Sequence, residues 1–482
     1  MKTAVMTVVL SLTLVALGAP QDLFCQQNCA PTSFDPQEVV RSVRRNRGLA
    51  ETTASESRYF RRADRHRSRT GERAAGREQY TDEGEFLLDT NRTVVVAQGS
   101  EDFPAVEFGG TNYLVVWEDG SSGNYDIHCT RVSPSGVVLD TLPVVINAAP
   151  DNQWTGGVAF DGVNYFVVWE DWRHDRLNPS IYGARVSQDG TVLDPDGIPI
   201  SLNTGASGPS VAFAQGVYFV VWSANDDIYG ARVTPGGNVL DPQGIPISTA
   251  PGRQYWPVIA FNGTDFLVAW IKQTGLWATD IYAARVSPAG VVRDPEGIPV
   301  SADSTYNEKS PAVLADGNNW FVVWQDYRHG YWDIYGARVS PEGTVLDPQG
   351  IAISTAADDQ ELPRVSFDGS NYLVVWTSTL GDYTDIHGAR VTPSGTVLDT
   401  QAIVISAGSD DEDWPALAFD GNNFLVVWED YRRGEDDIDI YGARVSPGGT
   451  VLDPQGVVLS YGTYEHWCPA SAYDGSNYFV VW

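Results

Sequence analysis

In Tyr113-Leu114-Val115-Val116-Trp117 an extended chain places Tyr113, Val115 and Trp117 on one face and Leu114 and Val116 on the other. Both faces are apolar, so this strand belongs to a sheet covered on both sides. The phrase around it, close to Phe-Asp-Gly-x-Asn-Tyr-Leu-Val-Val-Trp, occurs eight times, ending at Trp117, Trp169, Trp222, Trp270, Trp324, Trp376, Trp428 and Trp482. Successive gaps of 52, 53, 48, 54, 52, 52 and 54 residues are the period of a propeller or solenoid.

Each unit reads as four strands. The first is Pro-Ala-Val-x-Phe, as in Pro104 to Phe108 or Pro415 to Phe419. An Asp-Gly hairpin signal follows, at Asp161-Gly162, Asp368-Gly369 and Asp420-Gly421. The Val-Val-Trp strand is second, and Asp-Ile-Tyr-Gly-Ala-Arg-Val-Ser, as in Asp333 to Ser340, is third. A Pro-x-Gly turn such as Pro341-Glu342-Gly343 leads to a fourth, Val-Leu-Asp-Pro-Gln-Gly-Ile-x-Ile-Ser. Helical periodicity is absent from the repeats. Radially packed four-stranded blades cover both faces of every sheet, which a flat solenoid does not. The expected fold is therefore all-β, a β-propeller with about 52 residues per blade.

Strands one and two have eight copies, but strand three has seven, starting at Asp126, Ser180, Asp227, Asp280, Asp333, Asp385 and Asp439. Phe86 to Ala97 supplies an eighth copy of strand four. The pattern predicts eight blades, seven complete and one split between the termini. Because the last blade lacks its third strand, the natural chain is expected to continue past Trp482.

Composition divides the chain further. Lys2 and the apolar run Ala4 to Leu17, with small residues near Gly18, read as an export signal over 1–18. No other stretch is long and apolar enough to span a membrane. Residues 19–80 are poor in aliphatics and crowded with arginines from Arg41 to Arg77, the composition of a disordered linker or a removable pro-segment. The propeller occupies 81–482. Residues 1–80 hold 13 Lys and Arg against 8 Asp and Glu; the remainder holds 18 against 54. So acidic a body repels nucleic acid and anionic membranes. The expected location is secreted or extracellular, including a bacterial periplasm or cell surface.

Cys25 and Cys29 lie close enough in sequence to close a small loop. Cys129 stands where other repeats carry Gly183, Gly230, Gly336, Gly388 and Gly442, and Cys468 enters the last repeat. Two readings stay open: a Cys129–Cys468 bridge tying first repeat to last, or two free buried thiols.

The order of these strands and turns resembles the repeat of TolB-like and other WD40-like bacterial propellers. It is also similar to uncharacterised secreted repeat proteins with Val-Val-Trp-Glu-Asp-x-Arg phrases. The resemblance covers 86–482 and implies the fold. It carries no functional positions, because such rings host many roles.

Comparing repeats locates the candidate chemistry. The turns between strands one and two and between three and four hardly vary, whereas the connections after strands two and four do. In an up-and-down blade these variable loops share one rim, the expected functional face. After strand two come Trp172 and Arg173, Tyr327 and Arg328, and Tyr431 and Arg432; after strand four come Trp154, Trp256, Trp414 and Trp467. Aromatic faces beside charged groups suit sugar rings. The alternative is packing between blades, with Asp…Arg pairs serving as structural ion pairs. Asp410, Asp411, Asp413, Asp436 and Asp437 are candidate calcium ligands, although their spacing matches no EF-hand. No other cofactor is expected. The six histidines lack zinc-ligand spacing. There is no Gly-x-Ser-x-Gly elbow, phosphate loop or sialidase box, so no catalytic residue is named. The expectation is a secreted, non-enzymatic ring that binds a glycan or an extracellular protein. Two other readings remain: an extracellular glycan-cleaving enzyme, or a structural spacer in a longer surface protein.

Overall fold

Uninterrupted β-branched and aromatic residues make the second strand of each repeat a ladder with two partners. Trp320–Asp326 pairs antiparallel with Glu308–Ala315 on one side and Asp333–Val339 on the other. A computed structural model describes residues 101–482 apart from positions 121, 135–137, 141, 202–204, 276–277, 302–305, 381–382, 409, 434–437, 460–467 and 482. The expected export signal, Arg-rich segment and Phe86–Ala97 strand lie outside the described residues.

Seven sheets are four-stranded meanders in chain order, here called blades one to seven, and there is no helix among the described residues. Their first strands are Glu101–Phe108, Gln153–Phe160, Ala206–Ala214, Gln254–Phe261, Glu308–Ala315, Gln360–Phe367 and Glu412–Phe419. Each first strand packs on the next around the ring, so these strands surround the central axis. The eighth position is a two-stranded sheet, Ala470–Tyr473 with Tyr478–Val481. Its first strand packs between Glu412–Phe419 and Glu101–Phe108 and closes the circle. The closure uses the contacts found between ordinary blades. Tyr113 donates its hydroxyl to the Asn477 carbonyl at 2.7 Å, as Tyr218 does to Asn164 at 3.0 Å. The Tyr113 ring stacks on Phe479 at 4.7 Å.

Consecutive blades bury the two apolar faces predicted from the alternation. Leu267, Ala269 and Ile271 of blade four meet Trp320, Val322 and Trp324 of blade five. The repeat tryptophans from Trp169 to Trp428 are fully buried, each contributing roughly 2–3 kcal/mol by burial. Trp117, which faces the two-stranded eighth position, stays partly exposed.

The fourth strand is shorter than its sequence pattern. In blade five only Ile351–Ser354 is a strand; Val345 makes an isolated bridge to Val339, and the chain turns at Asp347, with Gly350 N–H donating to the Asp347 carbonyl. The reason is an ion pair. Asp347 accepts from Nε and Nη2 of Arg338 at 2.8 Å each and from its backbone N–H at 2.9 Å. The same nine-residue spacing pairs Arg131 with Asp140, Arg285 with Asp294 and Arg390 with Asp399. Nη1 of Arg338 then reaches the Pro393 carbonyl of the next blade at 3.1 Å.

No disulfide joins Cys129 to Cys468, so no bridge ties the first repeat to the last; Cys129 is buried and Cys468 partly so. Cys129 stands where Gly183, Gly230 and Gly336 face a phenylalanine ring of strand two. A Cβ on Gly230 would lie 2.5 Å from the Phe219 ring, whereas blade one has Leu114 at that place.

Candidate functional site

The two variable loop sets are hydrogen-bonded to each other, which places them on one rim. Trp172 N–H donates to the Asn152 carbonyl, Tyr327 N–H to Asn307 and Tyr431 N–H to Asp411. Between blades, Gln153 N–H donates to Tyr125 and Gln360 N–H to Trp332.

On this rim the three expected ligand-contacting arginines are held by their own blades. Asp171 accepts from the Trp169 indole at 2.8 Å and from Arg173 Nε at 2.7 Å. The Arg173 guanidinium lies 4.2 Å above the Tyr182 ring and donates to the Asp196 carbonyl. Arg328 repeats this with Asp326, Trp324, Tyr335 and Gln349, and Arg432 with Asp430, Trp428, Tyr441 and Gln455. A guanidinium with a bidentate carboxylate, a stacked ring and a carbonyl has few donors left for a ligand.

The aromatics divide by exposure. Tyr431 is 5% exposed, with its hydroxyl 3.3 Å from Glu429. Trp172 is half-buried and meets Trp154 at 5.0 Å, while Trp154, Tyr327 and Trp256 are open to solvent. Trp414 is half-buried, and Trp467 lies outside the described residues.

Trp256 and Trp414 share a feature that the repeat pattern did not reveal. Each precedes the proline of a first strand, where the pairing with strand two slips by a bulge, and each has φ of +53°. Phe103, Ser310, Leu362 and Cys468 hold the same position with φ between +50° and +56°. Gly208, the glycine among them, has φ of +62°, and a Cβ there would lie 3.4 Å from the Trp256 ring. A left-handed non-glycine residue is costly, and its repetition around the axis means the surrounding contacts impose it. One such contact comes from the previous blade: Glu170 accepts the Gly208 N–H at 2.7 Å, and Gln325 accepts the Leu362 N–H at 3.2 Å.

Two further first-strand residues break the repeat, and the sequence reading missed both. Arg364 stands where other blades have Ala105, Ser210, Val258, Ala312, Ala416 and Ala470, and Glu107 where they have Ala159, Ala212, Ala260 and Ala418. Burial pushes the Glu107 carboxyl up to about 7 and depresses the Arg364 guanidinium below its ordinary range. Aligning the first strands by their Pro-x-Val would have exposed both substitutions.

Buried carboxyls also line the blade boundaries. Glu308, fully buried at the start of its first strand, accepts from Ile281 N–H at 2.9 Å and from the Ser301 hydroxyl. Burial first, then the neighbouring Asp326 and Asp280, pushes it up to about 9. Gln153, Gln254 and Gln360 occupy the equivalent place in other blades.

The acidic loop residues are engaged structurally where they are described. Asp411 accepts the Thr384 N–H at 2.9 Å, and Asp413 accepts from the Thr377 hydroxyl at 2.9 Å. Asp410 precedes Asp411 in the same loop, and Asp436 and Asp437 lie outside the described residues. Among the described residues no three His, Cys, Asp or Glu side chains converge to hold a metal ion. No described helix is long and apolar enough to cross a membrane.

Neither a family model nor a curated protein matches the sequence. The chain is similar in fold to a Mycobacterium tuberculosis puromycin-hydrolysing peptidase, at 14% identity and a TM-score of 0.47 over 78% of this chain and 56% of that one. It is similar to a Lactobacillus plantarum protein at 13% identity and a TM-score of 0.43, over 69% and 93%. A Lactobacillus brevis α-L-arabinofuranosidase matches at 13% identity and a TM-score of 0.33, over 53% and 95%. At such identities and TM-scores the likeness assigns no role.

Proposed function

We propose that this propeller is an exported, non-enzymatic binding module that takes a glycan or a surface protein on its loop rim, around the mouth of the ring. The observation that carries this is the placement of exposed rings. Phe103, Trp154, Trp256, Tyr306, Tyr327, Tyr331 and Tyr383 are the exposed aromatics among the described residues, and all lie in the loops or bulges of that rim. The opposite rim carries short turns closed by Arg–Asp pairs. Flat apolar faces presented on a rigid ring bind with little ordering cost.

The test is a glycan-array screen of the whole chain, run with calcium and again with EDTA. Retention of a defined glycan class that Trp256→Ala abolishes supports the rim. Loss of binding in EDTA assigns calcium a part in the acidic loops. Turnover of a retained polysaccharide favours a glycan-cleaving enzyme, and silence from folded protein under both conditions favours a structural ring.

A further inference from the structure

The eighth position of the ring is a two-stranded sheet, so its two neighbours show what a complete blade there would touch. On blade seven the informative residue is Arg444. The six other arginines at this repeat position have side chains 14–21% exposed and lie against the turn glycine of the next blade, from Arg131 beside Gly190 to Arg390 beside Gly449. Five of them donate Nη1 to the first carbonyl of that turn, as Arg338 does to Pro393 at 3.1 Å and Arg390 to Pro447 at 3.0 Å. Arg444 keeps its own Asp453 but is 51% exposed, with no such carbonyl among the described residues. On blade one the informative residue is Val138. Val192, Val397 and Val451 are half-buried against fourth-strand residues of the preceding blade, Ile146, Ile353 and Ile405. Val138, at the same position, is 46% exposed, and Trp117 beside the same gap is less buried than its six equivalents.

We infer that residues 82–97 of this chain dock in that gap, with the Asp82-Glu83-Gly84 turn under Arg444 and Val94 against Val138 and Trp117. The register comes from the repeat. Gly84 precedes the bulge residue Phe103 by 19 residues, as Gly237 precedes Trp256, Gly343 Leu362, Gly395 Trp414 and Gly449 Cys468. In that alignment Asp82 stands where Pro393 and Pro447 accept from the arginine of the blade before, so its carbonyl is the acceptor for Arg444. Val94 stands where Ile247, Ile353 and Ile405 are buried. Four residues take the chain from Ala97 to Glu101, the start of blade one beside the gap, a reach of at most about 14 Å. No described strand adjoins the place of the fourth strand, so side chains and the Arg444 donor hold the segment. The Arg-rich stretch ending at Arg77 stays outside this latch, so its removal leaves the ring closed. The latch is independent of what the loop rim binds.

The experiment treats the whole chain with a low dose of trypsin and follows the cuts after Arg73 and Arg92 by intact mass, with light scattering to give the size of the particle. The expected result is that Arg92 is cut about tenfold more slowly than Arg73, at every protein concentration and in a monomer. Val94→Asp and Val138→Glu should each bring Arg92 up to the rate at Arg73. Val138 is on the surface of the described ring and residue 94 lies outside it, so both variants keep a folded ring, checked by an unchanged far-ultraviolet spectrum. Arg92 cut as fast as Arg73 in the wild type, or still protected in either variant, would overturn the inference. Protection that appears only with a dimer would put a second copy's segment in the gap and overturn docking within one chain.

Discussion

Glu170 Oε1 accepts the backbone N–H of Gly208 at 2.7 Å, across the boundary between the second and third blades. The contact is buried, and burial pushes the Glu170 carboxyl up to about 7 against the opposing pull of that hydrogen bond. It fixes the bulge of one blade from the second strand of the blade before it. Gln325 does the same for Leu362, so an amide oxygen can replace the carboxylate. Glu170→Ala should lose about 1–3 kcal/mol in urea unfolding, because the Gly208 N–H is left without an acceptor. Glu170→Gln should stay within about 1 kcal/mol of wild type near pH 6 and exceed it near pH 8, where the buried carboxylate is charged.

Stability should fall as pH rises across the neutral range. The Glu308 carboxyl titrates at about 9 in the folded chain against an ordinary 4.5. Between those values the folded chain holds a proton that the unfolded chain has released, so raising pH favours unfolding. Glu107, Glu170 and Glu412, each pushed up to about 7, act in the same direction. Thermal melts should show a lower midpoint near pH 8 than near pH 5.5. Glu308→Gln, which copies Gln153, Gln254 and Gln360, should flatten that slope and stabilise the protein near pH 8 by on the order of 1–3 kcal/mol. A slope unchanged in Glu308→Gln would show that Glu308 does not carry the effect.

Arg328 should report on stability and not on ligand affinity. It bridges Asp326, the Tyr335 ring and the Gln349 carbonyl within one blade. Arg328→Ala should cost about 1–3 kcal/mol in thermal or urea unfolding, and Arg328→Lys should recover less than half, since an ammonium cannot make the bidentate pair and the stack together. If Arg328→Ala instead melted like wild type and bound a rim ligand more weakly, the arginine would belong to the binding surface.

Trp256 should show the opposite separation. The residue is 53% exposed and its φ is +53°. Trp256→Gly relieves the left-handed strain, as Gly208 does naturally at the equivalent place, and should leave the melting midpoint unchanged or raise it slightly. The same variant should lose glycan retention on the array. A large fall in the midpoint would mean that Trp256 is a packing residue.

Much of the fold was legible because the signal is local. The alternation in Tyr113 to Trp117, its recurrence at a nearly fixed interval and the Asp-Gly and Pro-x-Gly turns depend only on residues adjacent in the chain. They determined an all-β ring of four-stranded blades. They also put the variable loops on one rim, which the cross-loop hydrogen bonds bear out.

The sequence alone could not rank the rim residues. Trp256 and Tyr431 look equally suited to a ligand, yet one is open to solvent and the other is buried with its hydroxyl beside Glu429. Arg328 and Arg364 are both arginines in an acidic chain, but the first sits two residues from its carboxylate and the second has none among the described residues. The bulge that gives Trp256 and Trp414 their positive φ arises where two strands slip out of register. Sequence determined which residues share a face of a strand, a property of neighbours along the chain. Exposure and backbone strain were decided by the tertiary structure, because they depend on contacts with the neighbouring blade, such as that of Glu170 with Gly208.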